Sequence, residues 1–230
     1  MNKTSETYYN SIASEYDFIM DSYPIHKSIR SFVESVFKSI VVTKSNVLDF
    51  GGGTGEDLKW LSKKYVVTFF EPSKEMRKVA IKKALENNYN QIQFTNTASS
   101  YFENLSEPSF NHKFDAIIAN FAVLNSIKNL QDLSEKLNLI CKKNCDVFFI
   151  VLYRFPNLKI PYIKDQFHKL IFMNSSFSKE FEVKNNNVKS KIYIHSLKNI
   201  KKHFTRNFSI INTIHIKDSY FKIIHLKKEN

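Results

Sequence analysis

Residues 46–71 read NVLDFGGGTGEDLKWLSKKYVVTFFE and decide the fold of this 230-residue chain. The apolar run Asn46–Phe50 predicts a short strand that ends in a cluster of glycines. Glu56–Lys64 carries two leucines at helical spacing, and the β-branched and aromatic run Tyr65–Glu71 predicts a second strand. Strand, glycine loop, helix and strand in this order predict the first unit of a parallel α/β sheet.

The glycine loop lies where a ligand can approach the backbone closely and where a helix N-terminus favours an anion. A phosphate-binding P-loop requires a Gly-Lys pair, which the sequence does not contain. A dinucleotide-binding fingerprint that starts at Gly51 would need its third glycine at the position of Glu56. The remaining pattern is D-x-G-x-G-x-G, formed by Asp49, Gly51, Gly53 and Gly55.

The alternation of strands and helices continues on both sides of this unit. Helices are predicted at 28–39, 74–88, 130–143 and 197–204, and strands at 91–94, 114–119, 146–153, 191–194, 208–216 and 220–226. The strand at 146–153 is continuously apolar, which is typical of a parallel sheet covered on both faces. We therefore predict an α/β fold: a Rossmann-like, doubly wound, mostly parallel sheet with helices on both faces and an antiparallel C-terminal edge.

The stretch VLDFGGGTGEDLKWL at 47–61 resembles the first motif of class I S-adenosylmethionine-dependent methyltransferases. The resemblance covers nearly the whole chain and favours the small-molecule, biosynthetic subgroup. It implies S-adenosyl-L-methionine as cofactor, with the glycine loop along the methionine portion. Glu71 ends the next strand, where the family has an acidic residue that holds the ribose hydroxyls; a carboxylate suits this role because it accepts two hydrogen bonds.

Two further segments carry the resemblance. Residues 8–17 resemble the lead-in "YxxIAxxYD", which closes over the cofactor in the family, although an aromatic staple is an equal alternative. Residues 114–125 resemble the fourth motif, while the position of an adenine-binding acid after the third strand is occupied by Ala98. The resemblance implies cofactor contacts from Tyr16, Asp49, Gly51, Gly53, Gly55, Glu71, Pro72, Met76, Thr97, Ala98, Ser99, Asn120 and Phe121.

Candidate catalytic residues come from the acceptor side. The segment YIHS at 193–196 resembles a segment of the biosynthetic subgroup, so we expect His195 to act as a base or to position the acceptor, with Tyr193 beside it. Asn125 could hydrogen-bond the acceptor or the cofactor. Two alternatives stay open: His195 as a core histidine bonded to backbone, and Asn125 as a helix cap. The spacing of His and Cys residues predicts no metal site.

The charge is concentrated in the last third of the chain. Of the net +12, residues 1–150 contribute +1 and residues 151–230 contribute +11. We expect a small, anionic or carrier-bound acceptor, with phenylalanines in the same region, Phe155, Phe167, Phe172, Phe177 and Phe181, forming an apolar pocket. A nucleic-acid substrate and a non-catalytic methyltransferase-like binding module remain as alternatives, since a lysine-rich composition can also be neutral in function.

The remaining sequence features bound the class of protein. No apolar run reaches the ~20 residues of a membrane helix and the start of the chain is polar, so we expect a cytoplasmic protein. Cys141 and Cys145 are expected to be buried as small apolar groups. We predict one domain over 1–230, with an N-terminal helical lid at 1–45, a cofactor-binding core at 46–153, and an acceptor-side insertion with the C-terminal strands at 154–230.

Overall fold

A computed structural model describes residues 3–95, 113–153, 178–185 and 188–229. The helices are α1 (Lys3–Ile12), α2 (Tyr16–Asp21), α3 (Pro24–Ile40), α4 (Leu58–Leu61), α5 (Lys74–Glu86), α6 (Leu130–Ile140) and α7 (Leu197–Phe204), with a 3₁₀ turn at Val123–Ser126. The strands are β1 (Asn46–Phe50), β2 (Val66–Phe70), β3 (Ile92–Phe94), β4 (Phe114–Ala119), β5 (Cys141–Leu152), β6 (Ser178–Asn185), β7 (Val188–His195), β8 (Phe208–His215) and β9 (Phe221–Lys228).

Seven strands form one sheet in the order β3-β2-β1-β4-β5-β9-β8. The first five run parallel, and β9 and β8 add an antiparallel edge. This arrangement confirms the predicted doubly wound α/β fold. Strand order reverses between β1 and β4, and ligands of such sheets bind in the crevice at the carboxyl ends of the strands at that point.

The core lies on both faces of the sheet because neighbouring strand residues point to opposite sides. Leu48 packs with α6 and α7 in one buried cluster, while Val47 packs with α3 and α4 in the other. Phe37 of α3 is the centre of an aromatic group on the second face, with its ring 5.0 Å from that of Phe148 and 5.4 Å from that of Trp60. Both faces of β1 are therefore fully covered.

Local sequence signals explain where most helices begin. Pro24 opens α3 at a position where its missing N–H costs nothing. Ser73 caps α5 by accepting from the Met76 amide, and Ser196 caps α7 by accepting from the Asn199 amide. Asn129 caps α6 in the same way.

The clearest differences from the predicted elements concern two helices and one strand. The helix expected at 56–64 is reduced to α4, because the glycine loop continues as turns to residue 57. The helix expected at 130–143 ends at Ile140, since Cys141 already pairs with Phe114 across a bulge that reaches Asn144. Strand β6 was not predicted; it pairs only with β7, and this hairpin forms a separate two-stranded sheet.

The cysteines and the lengths of the helices complete the description. Cys141 and Cys145 are both free thiols with 1% exposure, as expected for small apolar groups. Among the described residues, no helix combines the length and the apolar character that crossing a membrane requires.

Candidate functional site

A cleft opens at the carboxyl ends of β1, β2 and β4, where the strand order reverses. It measures about 610 Å³, including its mouth to solvent. Its lining comes from the glycine loop, the ends of β2 and β4, and the N-terminal helices: Tyr9, Tyr16, Arg30, Asp49, Gly51, Gly52, Gly53, Thr54, Glu56, Asp57, Glu71, Met76, Asn120, Phe121, Val123 and Ser126.

The glycine loop forms the floor of this cleft. Gly51, Gly53 and Gly55 have φ values of 75°, 59° and 78°, a region that L side chains rarely adopt. A Cβ at Gly53 would meet no atom within 4 Å, so its backbone faces open space. A Cβ at Gly55 would lie 2.9 Å from Ala80, which shows that this glycine instead allows the loop to pack on α5.

Glu71 places a buried carboxylate at the end of β2, beside the open face of Gly53. Its side chain accepts the Gly53 amide at 2.9 Å and the Ser73 amide at 2.7 Å. Burial raises the pKa of Glu71 to about 7, although the two amide hydrogen bonds lower it. The carboxylate is thus oriented by the backbone and retains acceptor capacity for a ligand.

Asp49 lies at the end of β1 under the same loop and is 1% exposed. Its Oδ2 atom has no hydrogen-bond partner among the described residues. Burial, reinforced by the nearby Asp57 and Glu71 carboxylates, raises the pKa of Asp49 well above its ordinary value. A buried, unpaired carboxyl oxygen is costly and suits a ligand that brings a donor or a positive charge.

The first two helices close one side of the cleft through Tyr9 and Tyr16, whose rings pack edge to face at 6.5 Å. Burial raises the pKa of Tyr16 to about 12, against the effect of Arg30, so the phenol is neutral. Asn10 fixes α1 to the start of α5, since its Oδ1 accepts from the Ser73 hydroxyl at 2.7 Å and the Glu75 amide at 3.1 Å.

Asp17 fixes α2 to the floor of the cleft. It accepts the Thr54 hydroxyl at 2.5 Å and pairs with Lys83 of α5 at 2.6 Å. Lys83 also pairs with Glu56, next to the glycine loop. The N-terminal helices are therefore joined to the glycine loop through Asp17 and to α5 through Asn10 and Asp17.

On the opposite side, Asp57 connects three elements. It accepts from Arg30 of α3 at 3.0 Å, from the Trp60 indole at 3.2 Å and from the Asn120 amide at 2.8 Å. The Arg30 guanidinium lies 4.4 Å from the centre of the Phe121 ring. Neither Arg30 nor Asp57 was predicted as a site residue. The signal for Arg30 in the sequence is a cation beside the apolar stripe of α3.

Several predicted cofactor contacts meet in this cleft. Its lining includes Tyr16, Asp49, Gly51, Gly53, Glu71, Met76, Asn120 and Phe121. Two others do not line it: Gly55 packs on α5, and Pro72 is buried behind Glu71. Thr97, Ala98 and Ser99 lie outside the described residues, as do Phe155, Phe167, Phe172 and Phe177.

The three candidate catalytic residues lie outside the cleft lining. Asn125 is 1% exposed, donates to the carbonyls of Leu152 and Tyr193, and accepts the Leu152 amide. These bonds fix the β6–β7 hairpin to the end of β5. Tyr193 is buried in that hairpin, with its ring 6.3 Å from His195.

The contacts of His195 are at odds with a role as a base. Its Nε2 faces the carbonyls of Leu124 and Ile127, at 3.2 and 3.0 Å, so it must donate. Its Nδ1 then accepts the Ser178 hydroxyl at 2.6 Å. Burial lowers the pKa of His195 to about 4, which keeps the ring neutral. Both nitrogens are engaged, which fits the alternative of a core histidine bonded to backbone.

The charges of the cleft favour a cationic ligand. Four carboxylates line it, Asp49, Glu56, Asp57 and Glu71, and Arg30 is the one cation in the lining among the described residues. Lys83 pairs with Glu56 and Arg30 pairs with Asp57. Asp49 and Glu71 feel the charges of Arg30 and Arg77, respectively, without an ion pair in the described part of the chain. In the same residues, no group of three or more His, Cys, Asp or Glu side chains is arranged to hold a metal ion.

Most of the chain matches one known protein family. A family model described as a methyltransferase domain matches residues 24–205. A search of curated proteins found no match.

Solved structures show the same fold at low sequence identity. An S-adenosylmethionine-dependent methyltransferase from Clostridium acetobutylicum is 16% identical, with a TM-score of 0.65 over 96% of this chain and 99% of that chain. The N-methyltransferase NodS from Bradyrhizobium japonicum, in complex with S-adenosylhomocysteine, is 10% identical, with a TM-score of 0.63 over 92% and 91% of the two chains. An Aquifex aeolicus methyltransferase is 15% identical, with a TM-score of 0.60 over 85% and 88%.

Proposed function

Because the chain belongs to the methyltransferase-domain family that its residues 24–205 match, we propose that it methylates a small, anionic or carrier-bound biosynthetic intermediate. The methyl donor is S-adenosylmethionine. The observation that carries the site assignment is the buried Glu71 carboxylate beside the open backbone of Gly53.

The residues of the cleft fit this donor. S-adenosylmethionine has a vicinal diol, an ammonium group and a sulfonium centre. Glu71 provides an acceptor for the diol, since its carboxylate is already oriented by two backbone amides. Asp49 provides a buried carboxyl oxygen without a partner among the described residues, which suits the positively charged end of the donor.

The chemistry places modest demands on the protein. When bound, S-adenosylmethionine supplies an electrophilic methyl group and leaves as a neutral thioether. Tyr9 and Tyr16 close one side of the cleft and shield that side from water. The residues that follow β4 hold the acceptor in line with the methyl group, and alignment of this kind can contribute several kcal/mol to lowering the barrier.

The charge distribution supports an anionic acceptor. The excess of +11 lies in residues 151–230, which include the β6–β7 hairpin. Two lysines of this hairpin, Lys189 and Lys191, already pair with Glu182 and Glu180. The recruiting charge therefore comes from other lysines and arginines of this part of the sequence. Salt weakens such long-range attraction, which provides a test.

A nucleic-acid acceptor is the second candidate, and one observation favours it. The chain as a whole has a net charge of +12, and phosphate backbones bind such surfaces with a steep dependence on salt. A small anion neutralises few charges, so its salt dependence is shallow. The slope of affinity against salt concentration thus distinguishes the two acceptors.

The first experiment is calorimetry with S-adenosylmethionine and S-adenosylhomocysteine. Binding of both compounds is expected. The variant Glu75→Gln, which loses a carboxylate outside the cleft, should bind them as the wild type does. Consumption of the methyl donor is then measured over a panel in which each carboxylate or phosphate metabolite is paired with its neutral amide or ester. Absence of binding by both cofactor forms would refute the site assignment, and equal turnover of charged and neutral partners would refute the anionic acceptor.

A further inference from the structure

The backbone directly after β4 is strained. Phe121 and Ala122 have φ values of 46° and 66°, so two consecutive residues with side chains occupy the left-handed region. A bulky residue in this region is unusual and requires the surrounding structure to hold it. We call residues 120–122 the β4 turn.

The β4 turn is held from both sides. On one side, the Asn120 side chain accepts the Phe121 amide at 2.9 Å, and the Ala122 amide donates to Ile150 of β5 at 2.9 Å. On the other side, the Phe121 ring contacts Arg30, and its centre lies 5.3 Å from that of His26. The turn thereby presents Phe121 to the cleft.

One carboxylate links these supports. Asp57 is 6% exposed, and its Oδ2 accepts from Asn120 while its Oδ1 accepts from Arg30 and from Trp60. Asn120 then orients the Phe121 amide, and Arg30 covers the Phe121 ring. Asp57 therefore supports the β4 turn by two routes: through Asn120 it supports the backbone, and through Arg30 it supports the Phe121 side chain.

We propose that Asp57 is a positioning residue for methyl transfer, which acts through Asn120 and Arg30 to hold the β4 turn at the place where the acceptor meets the donor. This proposal rests on the function proposed above. Asp57 also follows the glycine loop, so it connects the donor side of the cleft with the β4 turn. Binding at the loop is therefore transmitted to the turn.

Hydrogen–deuterium exchange of the full chain tests this role with Asp57→Asn. An asparagine cannot accept from Arg30, Trp60 and Asn120 while keeping its own amide protons paired. Without ligand, we expect the amides of residues 120–122 to exchange at least tenfold faster than in the wild type, with no change in β2. The control Asp132→Asn removes a carboxylate of α6 that pairs with Lys136, and it is expected to leave the turn unchanged.

The ligand-bound arm separates positioning from general stability. With saturating S-adenosylhomocysteine, the wild type is expected to gain protection at residues 51–57 and at the β4 turn together. Asp57→Asn is expected to gain it at 51–55 only. Equal protection of the turn in both proteins, or faster exchange spread evenly over β1, β2 and β4, would overturn the proposal.

Further variants keep the test decisive. If Asp57→Asn does not fold, Asn120→Ser and Arg30→Gln each remove one route. Each variant should speed the exchange of the β4 turn, and an unchanged turn in both would overturn the proposal. If the wild type does not bind S-adenosylhomocysteine, the proposed function fails, whereas the comparison without ligand still decides the role of Asp57. Trp60, the one tryptophan of the sequence, reports the change independently through its fluorescence.

Discussion

Replacement of Glu71 by glutamine is expected to weaken the binding of S-adenosylhomocysteine by roughly 10- to 150-fold. Both oxygens of Glu71 accept backbone amides, from Gly53 at 2.9 Å and from Ser73 at 2.7 Å. A glutamine would direct its own N–H groups at one of these amides and would lose the negative charge that accepts the ligand hydroxyls. A hydrogen bond to a charged group contributes about 1.5–3 kcal/mol, which corresponds to this range of affinity.

The pH dependence provides a second and independent measurement. Because burial raises the pKa of Glu71 to about 7, the carboxylate form that accepts two hydroxyls is lost as the pH falls below 7. The affinity of the wild type is therefore expected to fall by up to about tenfold per pH unit below pH 7, or about 1.4 kcal/mol per unit, and to level off above it. Asp49 titrates in the same direction, since its pKa is also raised.

Calorimetry at pH 5.5, 6.5, 7.5 and 8.5 with wild type, Glu71→Gln and the exposed-site control Glu75→Gln completes the test. The difference between wild type and Glu71→Gln should shrink as the pH falls, because protonation of Glu71 already mimics the substitution. Glu75→Gln should follow the wild type. A Glu71→Gln protein that binds as tightly as the wild type at pH 8.5 would refute the assignment of Glu71 to the ligand.

Three further tests address other parts of the site. Gly53→Ala is expected to lower the unfolding free energy by about 1 kcal/mol, because of its positive φ, and to weaken binding measured by calorimetry. Gly55→Ala should lower the melting temperature more, because its Cβ would lie 2.9 Å from Ala80. Identical effects of the two variants would contradict their different surroundings. Asp17→Asn is expected to speed the dissociation of S-adenosylhomocysteine severalfold in stopped-flow measurements, because it releases α2 from Thr54 and Lys83. The control Glu86→Gln, which removes an exposed pair with Lys82, should leave the dissociation rate unchanged. Because the pKa of His195 is lowered to about 4, the unfolded chain binds a proton at this residue at a higher pH than the folded chain does. The unfolding free energy should therefore fall by up to about 1.4 kcal/mol per pH unit from pH 6.5 towards pH 4. In urea melts His195→Gln should lack this component, and an unchanged dependence of its unfolding free energy on pH would contradict the buried neutral ring.

Local patterns of sequence were sufficient for the part of the fold that positions the donor. The strands at 46–50 and 114–119 and the helix at 197–204 have the predicted bounds, because their apolar periodicity and caps are encoded within a few residues. The glycine loop carries its own backbone requirement, since three of its glycines have positive φ. The role of Glu71 was implied by the resemblance to the methyltransferase family, in which an acidic residue ends the second strand.

The partners of the site depend on contacts that no local pattern encodes. Arg30 and Asp57 are separated by 27 residues, and only the packing of α3 on the sheet brings them together. His195 lies next to family-like residues in sequence, yet its surroundings are set by the carbonyls of Leu124 and Ile127, about 70 residues earlier. Apolar and polar residues alternate only weakly in strand β6, and its many charged residues made this pattern hard to detect.

The position of the β6–β7 hairpin has a consequence for how this enzyme can be altered. Strands β5 and β9 pair directly over seven residue pairs, from Asp146–Lys227 to Leu152–Phe221, although the hairpin and α7 lie between them in sequence. The chain thus leaves the main sheet after β5, re-enters it at the edge strand β8, and then forms β9 between β8 and β5. A segment from another methyltransferase that replaces the hairpin must therefore keep the Asn125 contacts with Leu152 and Tyr193. It must also leave α7 in place, because Ile200 and Phe204 pack in the same core cluster as Leu48.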